Sequence, residues 1–424
     1  MRAMDNCVIP QGYKATALGI IPQEWEVKFL GNLLSRCANG LTYDVSITSG
    51  IPVTRIETIS TGEINYAKVG YIPNESGYET FKMQKGDILY SHINSLSQIG
   101  KVAYYKGDKE IYHGMNLLLL RANEGLDKQY LYYTLLTDHM RHMAQVIAKP
   151  AVNQASISTS DLKRVKIAVP PLAEQRKIAE VLGEWDEAIE KQVRLIEKLA
   201  LRKRALMQRL LSAKLRLPGF SSPWQKVKLG DIGDTYNGLS GKNKDDFEYG
   251  NAQFIPYINV FSNERIDTNN LGCVQIKPNE QQNTVKYGDI FFTVSSETPD
   301  EVGMASVLLE HLDNTYLNSF CFGYRLNNFS TLNPFFAAYL FRTEHFRNYM
   351  SVLAQGSTRF NISKKEVMKL KIDLPTIEEQ TAIAEVLTAA DREIELAKEK
   401  LERLCRQKRG LMQQLLTGKK RVKY

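Results

Sequence analysis

"AEQRKIAEVL" (residues 173–182) and "EEQTAIAEVL" (residues 378–387) are nearly the same helix start, written twice 205 positions apart. The likeness continues outward from both copies. "SISTSDLKRVKIAVP" (156–170) precedes the first copy as "NISKKEVMKLKIDLP" (361–375) precedes the second, and "LMQRLL" (206–211) returns as "LMQQLL" (411–416). Further upstream, "KGDILYS" (85–91) answers "YGDIFFT" (287–293) at an offset of 202, and "EWEVKFLGNL" answers "PWQKVKLGDI" with its tryptophan moved from Trp25 to Trp224. A period near 200 is too long for a solenoid repeat, so the chain is a duplicated domain-sized block with small loop insertions.

The quoted stretch opens a long apolar seam. Ile383, Leu387, Ala390, Ile394, Ala397, Leu401, Leu404, Lys408, Leu411 and Leu415 step by four and three. The first copy gives Ile178, Leu182, Trp185, Ile189, Gln192, Ile196, Leu199, Lys203, Leu206 and Leu210, with a lysine at the same step. Spacing of this kind over more than four heptads predicts a coiled coil rather than a helix lying on a domain surface. Thr376 and Glu379 form a capping-box pattern at the start of the second helix, and Pro170 and Pro171 mark the start of the first. Both helices are acidic in their first halves and basic in their second, so antiparallel pairing sets acid beside base. At 1.5 Å per residue, some 40 residues make a rod of roughly 60 Å.

The rest of each block mixes strand and helix signals. "GIPVTRI", "GDILYS" and "GKVAYY" read as strands between turn residues, while residues 126–147 and 332–353 each read as one helix. The expected fold class is therefore α+β: two repeated α+β domains separated by two long helices that form an antiparallel intramolecular coiled coil.

The net charge of +8 has a marked distribution. Residues 191–216 carry +8 and residues 396–424 another +8, leaving −8 for the remainder. Two matched basic segments at repeat spacing point to an anionic partner or a charged protein partner. No apolar run approaches the ~20 residues of a membrane span. The start lacks a signal-peptide layout, and five scattered cysteines without a Cys-x-x-Cys fit free thiols, so a cytoplasmic protein is expected.

Catalytic motifs are missing. The nearest string to an Asp/Asn-Pro-Pro-aromatic amino-methyltransferase motif is Val169-Pro170-Pro171-Leu172, which lacks both the acid or amide and the ring. There is no Gly-x-Gly-x-x-Gly, and "GLSGKN" (238–243) is not a phosphate loop. Glu26 and Lys28 lack the upstream acid of a nuclease core, and His139 with His142 is a pair without further metal ligands. The expectation is a binding protein with no metal and no cofactor in this chain. A coiled-coil scaffold without DNA contact is the rival reading, but it leaves two elaborated domains with unlike loops unexplained.

The duplicated "PPLAEQRKIAEVL…KRALMQRLLSAKLRLPGF" and "PTIEEQTAIAEVL…KRGLMQQLLTGKK" resemble the two conserved regions of type I restriction–modification specificity subunits. "IPQEWEVKFLGNL", "GDILYS…IGKVAYY" and "PWQKVKLGDI" resemble that family's target-recognition domains, so the resemblance spans nearly the whole chain. It implies a first recognition domain at 1–171, a first spacer helix at 172–217, a second recognition domain at 218–376 and a second spacer helix at 377–424. It implies a non-catalytic subunit whose two domains each read half of a bipartite target in double-stranded DNA. The helices would set the gap and hold two methyltransferase subunits, on which S-adenosylmethionine is expected, with restriction/translocase subunits joining that core.

"GLTYDVSITSG" has no likeness to "GLSGKNKDDFEYG", and "SHINSLSQIGK" little to "TVSSETPDEVGM". Loops that differ on a shared framework predict unlike half-sites. Polar and basic side chains supply base and phosphate contacts. The DNA-contact candidates are Arg55, His92, Asn94, Ser95, Lys101, Asn153 and Gln154 in the first domain. In the second they are Asn237, Lys242, Asn243, Lys244, Ser295, Arg359 and Asn361. Gly86, Asp87, Gly288 and Asp289 read as turn formers, and Trp25 and Trp224 as core anchors. Arg202, Lys203 and Arg204, with Arg406, Lys408 and Arg409, are the expected pair of equivalent docking patches.

Overall fold

The computed structural model describes residues 9–151, 154–247 and 249–423. They fall into two compact units, Met1–Val193 with Glu399–Tyr424, and Arg194–Lys398.

In unit 1 a four-stranded antiparallel sheet runs in the order Leu34–Asn39, Leu118–Ala122, Ile88–Tyr90, Val102–Tyr104. Its central strands are buried on both faces, which is why they read as unbroken apolar runs. Side chains alternate between two cores, as a two-residue period requires. Ile88, Tyr90, Leu118 and Leu120 pack with Tyr130, Leu131 and Met140 on one side, while Leu89, Ala103 and Leu119 pack with Ile59, Met83 and Ile111 on the other. Only Ile51–Val53 of "GIPVTRI" is strand, paired with Gly70–Ile72.

Unit 2 repeats the design in the order Gly233–Asn237, Cys321–Leu326, Ile290–Thr293, Ala305–Val307. Ile290, Phe292, Phe322 and Tyr324 enter one core, and Phe291 and Cys321 the other.

The single helix expected at 126–147 is two, Lys128–Leu135 and Asp138–Ile147. Thr137 takes extended backbone (φ −66°, ψ 148°), and its hydroxyl accepts the Met140 N–H at 3.3 Å, so a new N-cap interrupts an apolar pattern that runs through the break. The second block breaks likewise into Pro334–Leu340 and Glu344–Leu353, with Thr343 capping through Phe346 N–H.

The long helices span Leu172–Leu210 and Ile377–Leu415. Every seam position is buried or half-buried, including Trp185, Ile189, Ile196, Leu206, Ile394, Leu401, Leu404 and Leu411. In unit 1, Ile178 and Leu182 share a core with Leu415; in unit 2, Leu210 shares one with Ile383 and Leu387. Ion pairs fix the direction. Asp186 meets Lys408 and Glu174 meets Arg421 in unit 1, while Arg202 meets Glu393 and Arg216 meets Glu379 in unit 2. As one number rises the other falls, so the helices pair antiparallel within each unit.

The "EQ" repeated at 174–175 and 379–380 ties each long helix to its own recognition domain. Gln175 and Gln380 are buried, and each side chain closes the loop before a recognition-domain helix. Gln175 accepts Asp127 N–H at 2.8 Å and donates to Pro170 O at 2.9 Å, while Gln380 accepts Asn333 N–H and donates to Pro375 O, both at 2.9 Å. Glu174 and Glu379 are buried beside them, each under an arginine fork. The capping box is only half formed: Thr376 accepts Glu379 N–H at 3.4 Å, but the Glu379 carboxylate is committed to Arg216 instead of reaching back.

Candidate nucleic-acid interface

Each unit carries a short ribbon beside its main sheet. In unit 1, Ile93–Asn94 pairs with Gln154–Ser156, and in unit 2, Ser295–Ser296 pairs with Phe360–Asn361. The register is the same: Ile93 faces Ser156 where Ser295 faces Asn361, and Asn94 faces Ala155 where Ser296 faces Phe360. The topology thus gathers Asn94, Ser95 and Gln154 in one unit, and Ser295, Arg359 and Asn361 at the equivalent place in the other.

In unit 1, Ser95 and Gln154 are exposed. The Asn94 amide donates to Ser91 Oγ at 3.1 Å and accepts Ser95 N–H at 2.8 Å. Lys101 donates to Ser60 O at 2.7 Å on the wall of a cleft of about 200 Å³ that Asn94, Ser91 and Glu57 also line. Arg55 precedes the short helix Ile56–Ile59 and pairs with Glu57 at 3.4 Å. Asn153 lies outside the described residues.

His92 is not a loop-surface side chain. It is buried, its Nδ1 has no hydrogen-bond partner, and burial pushes its pKa down to about 4. The uncharged ring occupies the interior behind the ribbon, so His92 is a poor source of phosphate contact.

In unit 2, Asn237, Asn243, Lys244, Arg359 and Asn361 are exposed. Asn243 caps the turn into Lys244–Phe247, accepting Asp245 N–H at 3.0 Å, and Asn237 accepts from the Lys364 ammonium. Arg359 donates to Ser295 Oγ at 3.2 Å and lies 6.0 Å from the centre of the Phe320 ring. Asn361 donates to Arg359 O at 3.3 Å.

Two further candidates are turned inward. The Lys242 side chain is 3% exposed, with its ammonium on Glu280 at 2.5 Å and Gln275 O at 2.6 Å. That hydrogen bond holds the Glu280 carboxyl down at about 2. Ser295 is buried, and its hydroxyl is taken by Arg359.

The turn residues do more than turn the chain. Gly86 and Gly288 have φ of +97° and +84°, the left-handed region that favours glycine. Asp87 and Asp289 are buried; each accepts a backbone N–H three residues earlier and holds an arginine fork, Arg121 or Arg325, with both bonds between 2.6 and 2.8 Å. Trp25 is fully buried, and its indole donates to Glu174 at 2.9 Å; Trp224 is partly buried against the second core.

The expected basic docking patches need revision. Lys203 and Lys408 are largely buried and pair with Asp391 and Asp186, and Arg202 pairs with Glu393, because the antiparallel partner supplies acids opposite them. Arg204, Arg406 and Arg409 remain exposed. Among the described residues no group of three or more side chains could hold a metal ion, and no helix is long and apolar enough to cross a membrane.

The family model described as "Type I restriction modification DNA specificity domain" matches residues 22–199 and 221–406. The chain belongs to the type I restriction–modification specificity family. The two matches are the two copies of the block read from the sequence, so this specificity subunit contains the family's domain twice. It is 34% identical over 439 residues to a putative type I restriction enzyme MjaX specificity subunit of Methanocaldococcus jannaschii, covering 97% of both chains. Its identity to the MjaVIII specificity subunit of the same organism is 25%, covering 95% of this chain and 94% of the other. The fold is shared with a chain from work on complex assembly and conformational transition of the type I R-M system, at TM-score 0.61 and 19% identity over 94% of this subunit and 99% of that chain. It is also shared with the type I S subunit from M. genitalium, at TM-score 0.52 and 18% identity over 92% and 96%.

Proposed function

We propose that this specificity subunit gives a type I restriction–modification complex its DNA target and performs no chemistry itself. Each α+β block reads one half of an asymmetric, bipartite duplex sequence. The paired helices set the gap and dock two methyltransferase subunits, which bring the S-adenosylmethionine, and restriction/translocase subunits add to that core. The cytoplasm, where chromosomal DNA is met, is the proposed compartment.

The observation that carries this reading is the pair of ribbons in identical register with unlike side chains. Asn94, Ser95 and Gln154 gather on one ribbon, and Arg359 and Asn361 at the equivalent place on the other. Polar side chains on a common frame suit base-edge and phosphate contacts, and unlike side chains suit unlike half-sites. Absence of the amino-methyltransferase and phosphate-loop motifs supports assigning the chemistry to partners.

The test is methylation-site mapping of DNA modified by the assembled methyltransferase complex. A two-part target of unlike halves is expected. An uninterrupted or symmetric target would overturn the reading, as would methyl transfer by the isolated chain.

A further inference from the structure

The lysine shared by both seams meets the same two partners in each unit. In unit 1, Lys408 Nζ lies 2.5 Å from Asp186 Oδ1, and the Tyr133 hydroxyl donates to Asp186 Oδ2 at 2.7 Å. In unit 2, Lys203 Nζ lies 2.6 Å from Asp391 Oδ1, and the Tyr339 hydroxyl donates to Asp391 Oδ2 at 2.6 Å. Each ammonium also sits over its tyrosine ring, 5.1 Å and 5.3 Å from the centre. Three elements therefore converge on one carboxylate: both long helices, and a recognition-domain helix that supplies the tyrosine.

A lysine at a seam position is a costly choice where a leucine or methionine would bury more apolar surface. Its attested use in coiled coils is to specify register. Here the tyrosine adds a constraint that no helix pair supplies alone. Sliding either helix by one turn, about 5.4 Å, breaks a carboxylate whose two oxygens are separately committed. That step exceeds one base-pair rise of ~3.4 Å.

The two copies are not equally reinforced. In unit 2 Arg265 bonds Tyr339 and Thr388 and lies 3.8 Å from Asp391, and Glu264 takes Lys203 at 2.7 Å. In unit 1 the position of Thr388 is Gly183, where an added Cβ would lie 3.7 Å from the Tyr133 hydroxyl. Asp186 is accordingly more open, with 45% of its side chain exposed against 31% for Asp391.

We propose that the Lys408–Asp186–Tyr133 and Lys203–Asp391–Tyr339 triads are positioning residues that lock helix register and the seat of each recognition domain, so that the gap between half-sites takes a single value. The inference rests on the bipartite reading above. Unit 2 holds the stiffer lock.

The experiment compares methylation maps of complexes carrying the parent chain, Lys408→Met, Lys408→Arg, Lys203→Met and Tyr133→Phe, beside thermal melting of each variant. Methionine fills the seam, so Lys408→Met should melt no lower than the parent. It should nevertheless methylate a second class of sites whose gap differs by one base pair. Lys408→Arg should restore the single gap, and Lys203→Met should give a smaller second class because Arg265 still reaches Asp391. A folded Lys408→Met and a folded Tyr133→Phe that both keep the single gap would overturn the lock. So would a large fall in melting temperature with an unchanged gap, since that marks a merely structural pair. A parent map without a split target would defeat the bipartite reading alone; the lock is then read from hydrogen exchange. Faster exchange over Lys128–Leu135 in Tyr133→Phe would uphold it, and unchanged exchange would refute it.

Discussion

Arg421 grips both oxygens of Glu174, at 2.5 and 2.9 Å, across 247 positions of chain, and Arg216 grips Glu379 in the same fork at 2.6 and 2.7 Å. Both glutamates are buried, and each is the third residue of its long helix. The tail after the second helix thus does for unit 1 what the segment after the first helix does for unit 2. Tyr13 strengthens the first arrangement by donating to Gly418 O at 3.0 Å.

Removing one partner of a buried pair strands the other charge. Arg421→Ala should cost unit 1 about 2 kcal/mol, below the usual figure for a buried pair because the arginine is itself partly exposed. Denaturant unfolding checks this against Lys423→Ala, an exposed neighbour expected to change little. Equal effects from the two substitutions would mean that the fork contributes nothing specific.

Acid should weaken unit 1 through its histidines. Burial pushes His92 and His113 down to about 4 from an ordinary 6.5, and each has an unpartnered Nδ1. Between those values the unfolded chain binds protons that the folded chain does not, so stability falls as pH drops from about 6.5 to 4 and levels off below. Val294 is the counterpart of His92 in the other block, and His92→Val should flatten the decline. A melting profile of equal slope in parent and variant would show that other groups govern it.

Exchanging residues 218–376 for the corresponding block of another family member should change one half-site and leave the other. The shared frame of ribbon and sheet makes the swap conservative for packing. Methylation mapping of the chimaera decides the matter, and a change in both halves would exclude independent reading.

A heptad inserted in register into the helix pair should lengthen it by about 10 Å. The gap should then grow by at most about three base pairs, at ~3.4 Å each. A seven-residue insertion keeps the seam, whereas three residues rotate it away from its partner. Sites methylated by a folded, active variant give the answer; an unchanged gap would mean that something other than helix length measures it.

The duplication, both long helices and the α+β blocks were legible because they rest on periodic patterns that extend over many residues. The seam positions read from 3-4 spacing are all at least half-buried. What escaped was set by contacts between distant residues. Lys242 looks like a free loop cation until Glu280, 38 positions on, closes over it. Thr137 interrupts a helix whose apolar rhythm does not falter, because one hydroxyl outweighs it locally. The lysine step at 203 and 408 is visible in the sequence, and Asp186 and Asp391 recur beside it at the same offset of 205, but only the fold shows that they are its partners.

The return of residues 399–423 to unit 1 has a consequence for biosynthesis. A ribosome makes all of residues 194–398 before the strand of chain that covers Glu174 and Trp25 exists. The block begun first is therefore finished last: during translation its tryptophan waits uncovered and its carboxylate waits without the arginine that neutralises it, while the later block already has every residue it needs. A nonsense codon near residue 416 would spare the second block and leave the first unsealed, so the first block depends on codons read after the whole of the second.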